Sequence, residues 1–298
     1  MSVRSLVRGS GVAGFHPEEA WQQTGLSPAV RRLALEAFAS LQPPGLYRLA
    51  GTVGMLAKHY AGLLPRGCLP DPEGALRWPD GLAGICAELD VPTLRSAYAR
   101  GLYPSSQIGP LTWWAPAMRM ALFIENLHIE PSVRQRLRHK DFHVTFDHDF
   151  GAVIRACAEA RPGRLGPDIT AAFSAAFDAG LAHSAEVWDR SGSLAGGIFG
   201  LAIGKVFFTE AQFASARDAS KVGFTALNCH LQRWGYLLND GKHLSGYLSQ
   251  LGFTPIPRAP FNALLAKACV EVGREGHWTV DESINVAGWN PKSAVTAR

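Results

Sequence analysis

AHSAEVWDRSGSLAGGIFGLAIGKVFF, residues 182–208, reads as two apolar strands joined by a polar turn and followed by a third strand. The turn DRSGS supplies Asp, Ser and Gly, the residues that close tight reversals. Upstream, Phe142, Val144 and Phe146 alternate with polar residues, the period of a half-buried strand. Helical spacing predicts helices over about 149–159 and 168–179, the second with Ile169, Phe173 and Phe177 in one stripe and Gly180 as its stop. Downstream, a helix over 218–234 is capped by Asp218 or Ser220, and LLND and LGFTPIP close the series. Strands with helices packed between them predict an α/β or α+β domain over about 142–270.

Before this domain the pattern is looser. Ser27, Pro28 and an apolar stripe from Val30 to Leu41 predict a helix that Pro43-Pro44-Gly45 stops. A Gly- and Pro-rich stretch runs to about residue 81, and a helix follows near 92–100. The organisation expected is a partly helical extension over 1–68, a small domain over 69–141, the larger domain over 142–270, and a tail over 271–298.

The 298 residues are 47% hydrophobic and 18% charged, enough to bury a sizeable core. A net charge of +4 permits a polyanionic partner without requiring one. Five scattered cysteines with no CxxC argue against a disulfide framework or a zinc site, and suit a reducing cytoplasm. No apolar run is long enough for a membrane-spanning helix, so the chain is expected to be cytoplasmic and to engage no membrane.

Several clusters carry possible chemistry. SVRQRLRHKDFH concentrates Arg134, Arg136, Arg138, His139 and Lys140, which suits a solvated helix end or contact with phosphates. Trp113-Trp114 reads as core anchors or as a stacking platform for a base. Glu210 and Lys221 flank the start of a helix, where they cap it or form an anion site. His143, Asp147 and their neighbours lack zinc-ligand spacing and read as ordinary polar residues. LLNDGK, residues 237–242, reads locally as a short buried strand entering an Asn-Asp-Gly turn.

The ordered series PDGLAG, SAYARGLYP, WWAP, FIENLHI, SVRQRLR, AHSAEVW, LAGGIFG, FFTEAQF, DASK and LLNDGK…LSQLG resembles the leucyl/phenylalanyl-tRNA–protein transferases over about residues 69–265. The resemblance implies a small N-terminal domain joined to one like the GCN5-related acetyltransferases, an α+β fold. It implies transfer of an amino acid from its tRNA to a free amine, with no metal and no cofactor. Aminoacyl-tRNA and the acceptor amine are the partners so implied. Glu210 matches the acidic residue that faces the acceptor's basic N-terminus, a lysine or arginine, and Asp240 the aspartate at a strand end that orients the amine and takes its proton directly or through water. The amino-acid pocket is implied at Ile198, Phe207, Thr209, Gln212, Phe224 and Asn239, with Trp113 and Trp114 on the substrate side. Arg134, Arg136, Arg138, Lys140 and Lys221 fall where the resemblance puts tRNA contacts.

Some positions depart from that pattern. Lys242 replaces a glutamine, Asn239 an isoleucine, Gln212 a methionine and Thr209 a glycine, while Ser105 and Asp168 replace tryptophans. Amides in an apolar pocket are expected to lack partners beside leucine or phenylalanine, at about 1–3 kcal/mol each. A smaller or more polar donor is therefore expected. Lys242 is expected at the reaction centre, donating to the developing oxyanion, pairing with Asp240 or binding a carboxylate of the acceptor. Three readings stay open: transfer to a protein N-terminus, the same chemistry on a small metabolite, and a non-catalytic tRNA-binding relative.

Overall fold

The computed structural model describes residues 51–58, 61, 68–105, 110–161 and 163–296. The helix expected after Ser27 lies outside the described residues. A small antiparallel sheet comes first, built from β1 (Leu82–Ile85), β2 (Tyr103–Ser105) and β3 (Thr112–Trp114) in the order β1-β3-β2. Between β1 and β2 runs α1 (Val91–Ala99), whose N-terminus is capped where Asp90 accepts from the Thr93 N–H at 2.8 Å. Its inner face carries Leu94, Ala97 and Tyr98, all buried.

The larger unit then follows in chain order as β4 (Met118–Phe123), α2 (Pro131–His139), β5 (His143–Phe146), α3 (Phe150–Ala160), α4 (Pro167–Asp178), β6 (Ala182–Trp188), β7 (Leu194–Ile203) and β8 (Val206–Ala214). It continues through α5 (Ala219–Arg233), β9 (Leu238–Lys242), α6 (Gly246–Gln250), β10 (Thr254–Pro257) and α7 (Arg258–Ala268). Its seven strands lie in the order β10-β4-β9-β8-β7-β6-β5. Every neighbouring pair is antiparallel except β8 and β9. The fold is α+β.

The hairpin read from 182–208 forms as β6 and β7, with Asp189 accepting from the Ser191 and Ser193 amides at 2.8 and 3.0 Å inside the turn. Both strands are buried on both faces, because α3 and α4 cover one side of the sheet and α5 the other. Hence one core holds Phe173, Phe199, Phe208 and Tyr98, and a second holds Phe207, Ile198, Phe224 and Leu231.

Two features correct the expected organisation. β4 arises before residue 141 yet lies between β9 and β10, so a cut at 141 parts strands of one sheet. Its MRMALF segment shows no alternation because four consecutive residues in it are buried. Second, residues 271–296 do more than trail. Trp278 is wholly buried, stacks on His183 at 3.7 Å between ring centres, and donates its backbone N–H to Asp147 at 2.6 Å.

The same segment is tied down through His230, which is buried in α5. Its Nδ1 lies 2.8 Å from the Ala226 carbonyl, and its Nε2 accepts from the Asp281 N–H at 3.0 Å, which fixes the neutral tautomer protonated at Nδ1. Burial pushes this imidazole below its ordinary value. The unfolded chain therefore takes up a proton at about pH 6.5 that the folded one refuses, and stability falls as pH drops below that point. The Asp281 amide should lose hydrogen-exchange protection between about pH 7 and 5. Constant protection across that range would contradict the clamp.

Candidate active site at the divergence of two parallel strands

β8 and β9 pair only from Val206↔Leu238 to Phe208↔Asp240. Beyond that point β8 continues beside β7 and β9 beside β4, so the sheet opens at its middle. Two bulges sit at the opening. On β8, Thr209 faces Gly200 and Ala211 faces Phe199, leaving Glu210 as the extra residue. On β9, Asp240 faces Ala121 and Lys242 faces Met120, leaving Gly241 as the extra one. Bulges re-aim side chains beside sites of this kind. A Cβ on Gly241 would lie 2.6 Å from Leu248 Cδ1 and 2.9 Å from the Phe253 ring, so a side chain there would require both to shift.

LLNDGK is thus a strand, against its local turn signal. Asp240 is wholly buried and grips Arg119 of β4 through Nε at 2.8 Å and Nη2 at 2.6 Å, while its Oδ1 also accepts the Lys242 N–H at 2.9 Å. These bonds hold the Asn-Asp-Gly segment extended between two neighbours, which outweighs turn propensity. Arg119 also donates to the Gly101 carbonyl at 3.0 Å and lies over the rings of Tyr103 and Phe261. Burial works against its charge, and Asp240 outweighs that, holding the guanidinium above its ordinary value. Asp240 is not among the residues lining the cavity described below, and its bonds to Arg119 and to the Lys242 N–H tie β9 to β4.

The groups facing the opening are Glu210 and Lys242. Lys242 Nζ pairs with Glu210 Oε2, and the Tyr98 hydroxyl donates to the same oxygen. Glu210 Oε1 takes no hydrogen bond among the described residues. Lys242 has φ near 70°, a left-handed conformation unusual for a residue with a side chain, and its ammonium lies over the Tyr98 and Tyr103 rings at 5.8 and 5.2 Å. Burial pushes this amine below its ordinary value, while Glu210 pulls the other way. Burial, and then the charge of Glu210, push the Tyr98 phenol well up, so it stays a donor.

A cavity of about 360 Å³ opens onto this pair. Tyr103, Ser105, Trp114, Met118, Arg161 and Arg164 are among the residues lining it, with Glu210 and Lys242. Ser105 stands on its wall, at the position where the resemblance has a tryptophan. Cys157 also lines it, but burial pushes its thiol up to about 12, so it stays protonated and is no nucleophile.

The opposite face of the opening belongs to α5. Here Thr209 donates to Asn239 Oδ1 at 2.8 Å, Asn239 Nδ2 donates to Asn228 Oδ1 at 3.2 Å, and Asn228 donates to the Phe224 carbonyl at 2.8 Å. The Asn239 amide is therefore satisfied, which corrects the expectation that it lacks partners. Ile198, Phe207 and Phe224 lie in the core on this side, Phe207 opposite Asn239 in register. Gln212 faces Ile198 across β7 and β8 and is partly exposed.

The tryptophan pair divides. Trp113 is buried beside Ala97 and Leu102, while Trp114 lines the cavity and donates from Nε1 to Thr112 at 2.8 Å. The cationic set also divides. Lys221 pairs with Glu130 at 2.6 Å, Arg136 with Asp141 at 3.0 Å, and Arg134 donates to the Trp289 carbonyl at 3.0 Å. Arg138 and Lys140 are exposed, and their side chains make no ion pair or hydrogen bond among the described residues. Arg119, Tyr98 and Tyr103 are the site residues that sequence reading missed. The available signal was a lone arginine inside the apolar run MRMALF, since a buried arginine needs a carboxylate. Among the described residues, no group of three or more His, Cys, Asp or Glu is placed to hold a metal ion, and no helix is long and apolar enough to cross a membrane.

Residues 121–266 match the model of a family described as leucyl/phenylalanyl-tRNA protein transferase. A leucyl/phenylalanyl-tRNA–protein transferase of Azotobacter vinelandii is 43% identical over 201 residues, covering 66% of this chain and 88% of that protein. One of Stutzerimonas stutzeri is 44% identical, covering 66% of this chain and 89% of that protein. Among solved structures, FemX matches with a TM-score of 0.38 at 12% identity, over 51% of this chain and 64% of that one, a likeness too slight to carry an argument. At such identity over most of its relatives' length, the chain belongs to the leucyl/phenylalanyl-tRNA–protein transferase family.

Proposed function

We propose that the opening between β8 and β9 is where this aminoacyltransferase moves an amino acid from its tRNA ester to a free amine. The observation that carries the reading is the Glu210 carboxylate at the cavity, with one oxygen held by Lys242 and Tyr98 and the other without a partner among the described residues. An α-amino group, with a pKa of about 7.7–8.0, is partly neutral near pH 7, so the enzyme needs mainly to position it and accept a proton late. Glu210 Oε1 takes that proton as the amide bond forms and passes it to the ribose oxygen of the tRNA as the ester C–O bond breaks. The Lys242 ammonium sits where it stabilises the oxyanion that forms on the ester carbonyl. Asp240 and Arg119 keep β9 in place and take no proton.

The polar chain Thr209–Asn239–Asn228 supports a donor smaller or more polar than leucine or phenylalanine, because Thr209 and Asn239 occupy positions that the family pattern fills with glycine and isoleucine. The parallel pair that parts after Asp240 supports an acetyltransferase-like arrangement of the larger sheet. The exposed Arg138 and Lys140 support tRNA contact on α2, and the reaction is read as cytoplasmic. Purified protein offered each labelled aminoacyl-tRNA with peptide acceptors should transfer one amino acid in an RNase-sensitive manner. The double variant Thr209→Gly/Asn239→Ile should raise transfer of leucine or phenylalanine roughly 10–200-fold relative to that donor. An unchanged ratio would overturn the altered pocket, and no transfer from any aminoacyl-tRNA would overturn the function.

A further inference from the structure

We infer, resting on the transferase reading above, that Arg77 and Trp78 form a platform at the cavity mouth for the single-stranded 3′ end of the tRNA. The indole stacks on the base of the penultimate nucleotide, and the guanidinium meets its phosphate. Trp78 is 82% exposed, the one aromatic among the exposed large apolar side chains described. Its ring makes no ring contact or hydrogen bond among the described residues. Pro79 and Asp80, which follow it, line the cavity, and so does Leu244, another exposed apolar residue.

The turn that carries the indole is fixed. Arg77 bridges to Asp80, so Trp78 and Pro79 form its tip. Leu76 donates to the Leu82 carbonyl at 2.8 Å, and Gly81 donates to the Leu76 carbonyl at 2.9 Å. From the segment before β4, Ala115 donates to the Gly81 carbonyl at 2.6 Å and Ala117 to Asp80 Oδ1 at 3.0 Å. Gly81 has φ near 90°, and a Cβ there would lie 2.6 Å from the Pro116 nitrogen, so the turn sits tight against that segment. The indole is thus held in water on a rigid base, and a partner stacking on it meets little ordering cost.

Position and charge select the partner. An aminoacyl ester sits on the terminal ribose of its tRNA. With the ester at Glu210, the strand leaves through the cavity mouth and brings the penultimate nucleotide to the rim. Single strands are held by aromatic faces beside cations. Arg77 shares the face of the turn with Asp80, and Arg161 lies on the cavity wall; both are exposed. Neither side chain makes an ion pair or hydrogen bond among the described residues. Asp80 is the opposing charge at the rim, where Arg77 stands across from it in the turn. Lys242 is engaged by Glu210 and takes no part. A fixed platform also suits an end that is the same in every tRNA better than acceptors whose side chains vary.

The test is a cycle of equilibrium binding read by fluorescence anisotropy, using a 5′-labelled uncharged tRNA transcript and a copy lacking the penultimate base. Trp78→Ala should bind the intact tRNA about 5- to 150-fold more weakly, the loss of one base from an aromatic platform. It should bind the abasic copy as the wild type does. Trp78→Tyr should restore most of the affinity, and Arg77→Ala should reduce the slope of log affinity against log salt by about 0.7. Because both side chains are exposed, each variant should melt with the wild type, so affinities are read on folded protein. Unchanged affinity of Trp78→Ala for intact tRNA would overturn the inference, as would an equal loss on both RNAs. Loss of affinity for a labelled peptide acceptor alone would also overturn it, since the indole would then serve the acceptor. The predicted coupling without transfer from any aminoacyl-tRNA removes the transferase reading and keeps the platform. Transfer without the coupling removes only the platform.

Discussion

Replacing Arg119 by Met should destabilise the protein by about 3–5 kcal/mol, the cost of leaving a buried carboxylate without its partner. Asp240 is wholly buried, and Arg119 is only 2% exposed, so water cannot substitute for the guanidinium. Both carboxylate oxygens bond to it, and Asp240 also holds the Lys242 amide at the bulge. The loss therefore reaches the register of β9 as well as the charge. The double variant Arg119→Met/Asp240→Leu should recover much of the stability, since apolar groups of similar size often replace a buried pair without penalty. Urea midpoints of the three proteins measure this. A single variant within about 1 kcal/mol of the wild type would show that Asp240 is not held as described.

Glu210→Gln should lower kcat/KM for aminoacyl transfer by roughly 10²–10⁴, the range lost with a positioned proton acceptor. The amide keeps the shape of the side chain but cannot take a proton, and it leaves the Lys242 ammonium buried without a counter-charge. The effect on stability is removed in Glu210→Gln/Lys242→Met, which leaves neither member of the pair charged but also lacks the Lys242 donor. That protein should melt close to the wild type and still be slow. A rate near that of the wild type in either variant would move the proton acceptor elsewhere.

Much of the fold was legible in sequence, because the hairpin at 182–208 and the helices around it follow simple periods. The helices expected near 149–159, 168–179 and 218–234 form as Phe150–Ala160, Pro167–Asp178 and Ala219–Arg233. β4 was not legible, since a strand buried on both faces has no alternation to read. At the site, the resemblance put Glu210, Asp240 and Lys242 together, and in the structure Lys242 bonds to both of the others. The contacts that hold them were not legible, because they depend on Arg119, some 120 residues away in sequence, and on Tyr98 from α1. LLNDGK shows the limit well: locally Asn-Asp-Gly signals a turn, and only long-range bonds to Arg119 make it a strand. Likewise, the partners of Asn239 come from β8 and α5, so its satisfied amide was invisible in the linear pattern.

The central claim is that the family's chemistry persists here on a pocket changed to suit another donor. It is tested most directly by competition. Wild-type protein would be given a saturating peptide acceptor and a full set of aminoacyl-tRNAs at equal concentration, and the amino acid joined to the peptide would be identified by mass spectrometry. Addition of one residue smaller or more polar than leucine, lost on RNase treatment, is the result predicted. Preferential addition of leucine or phenylalanine would contradict it.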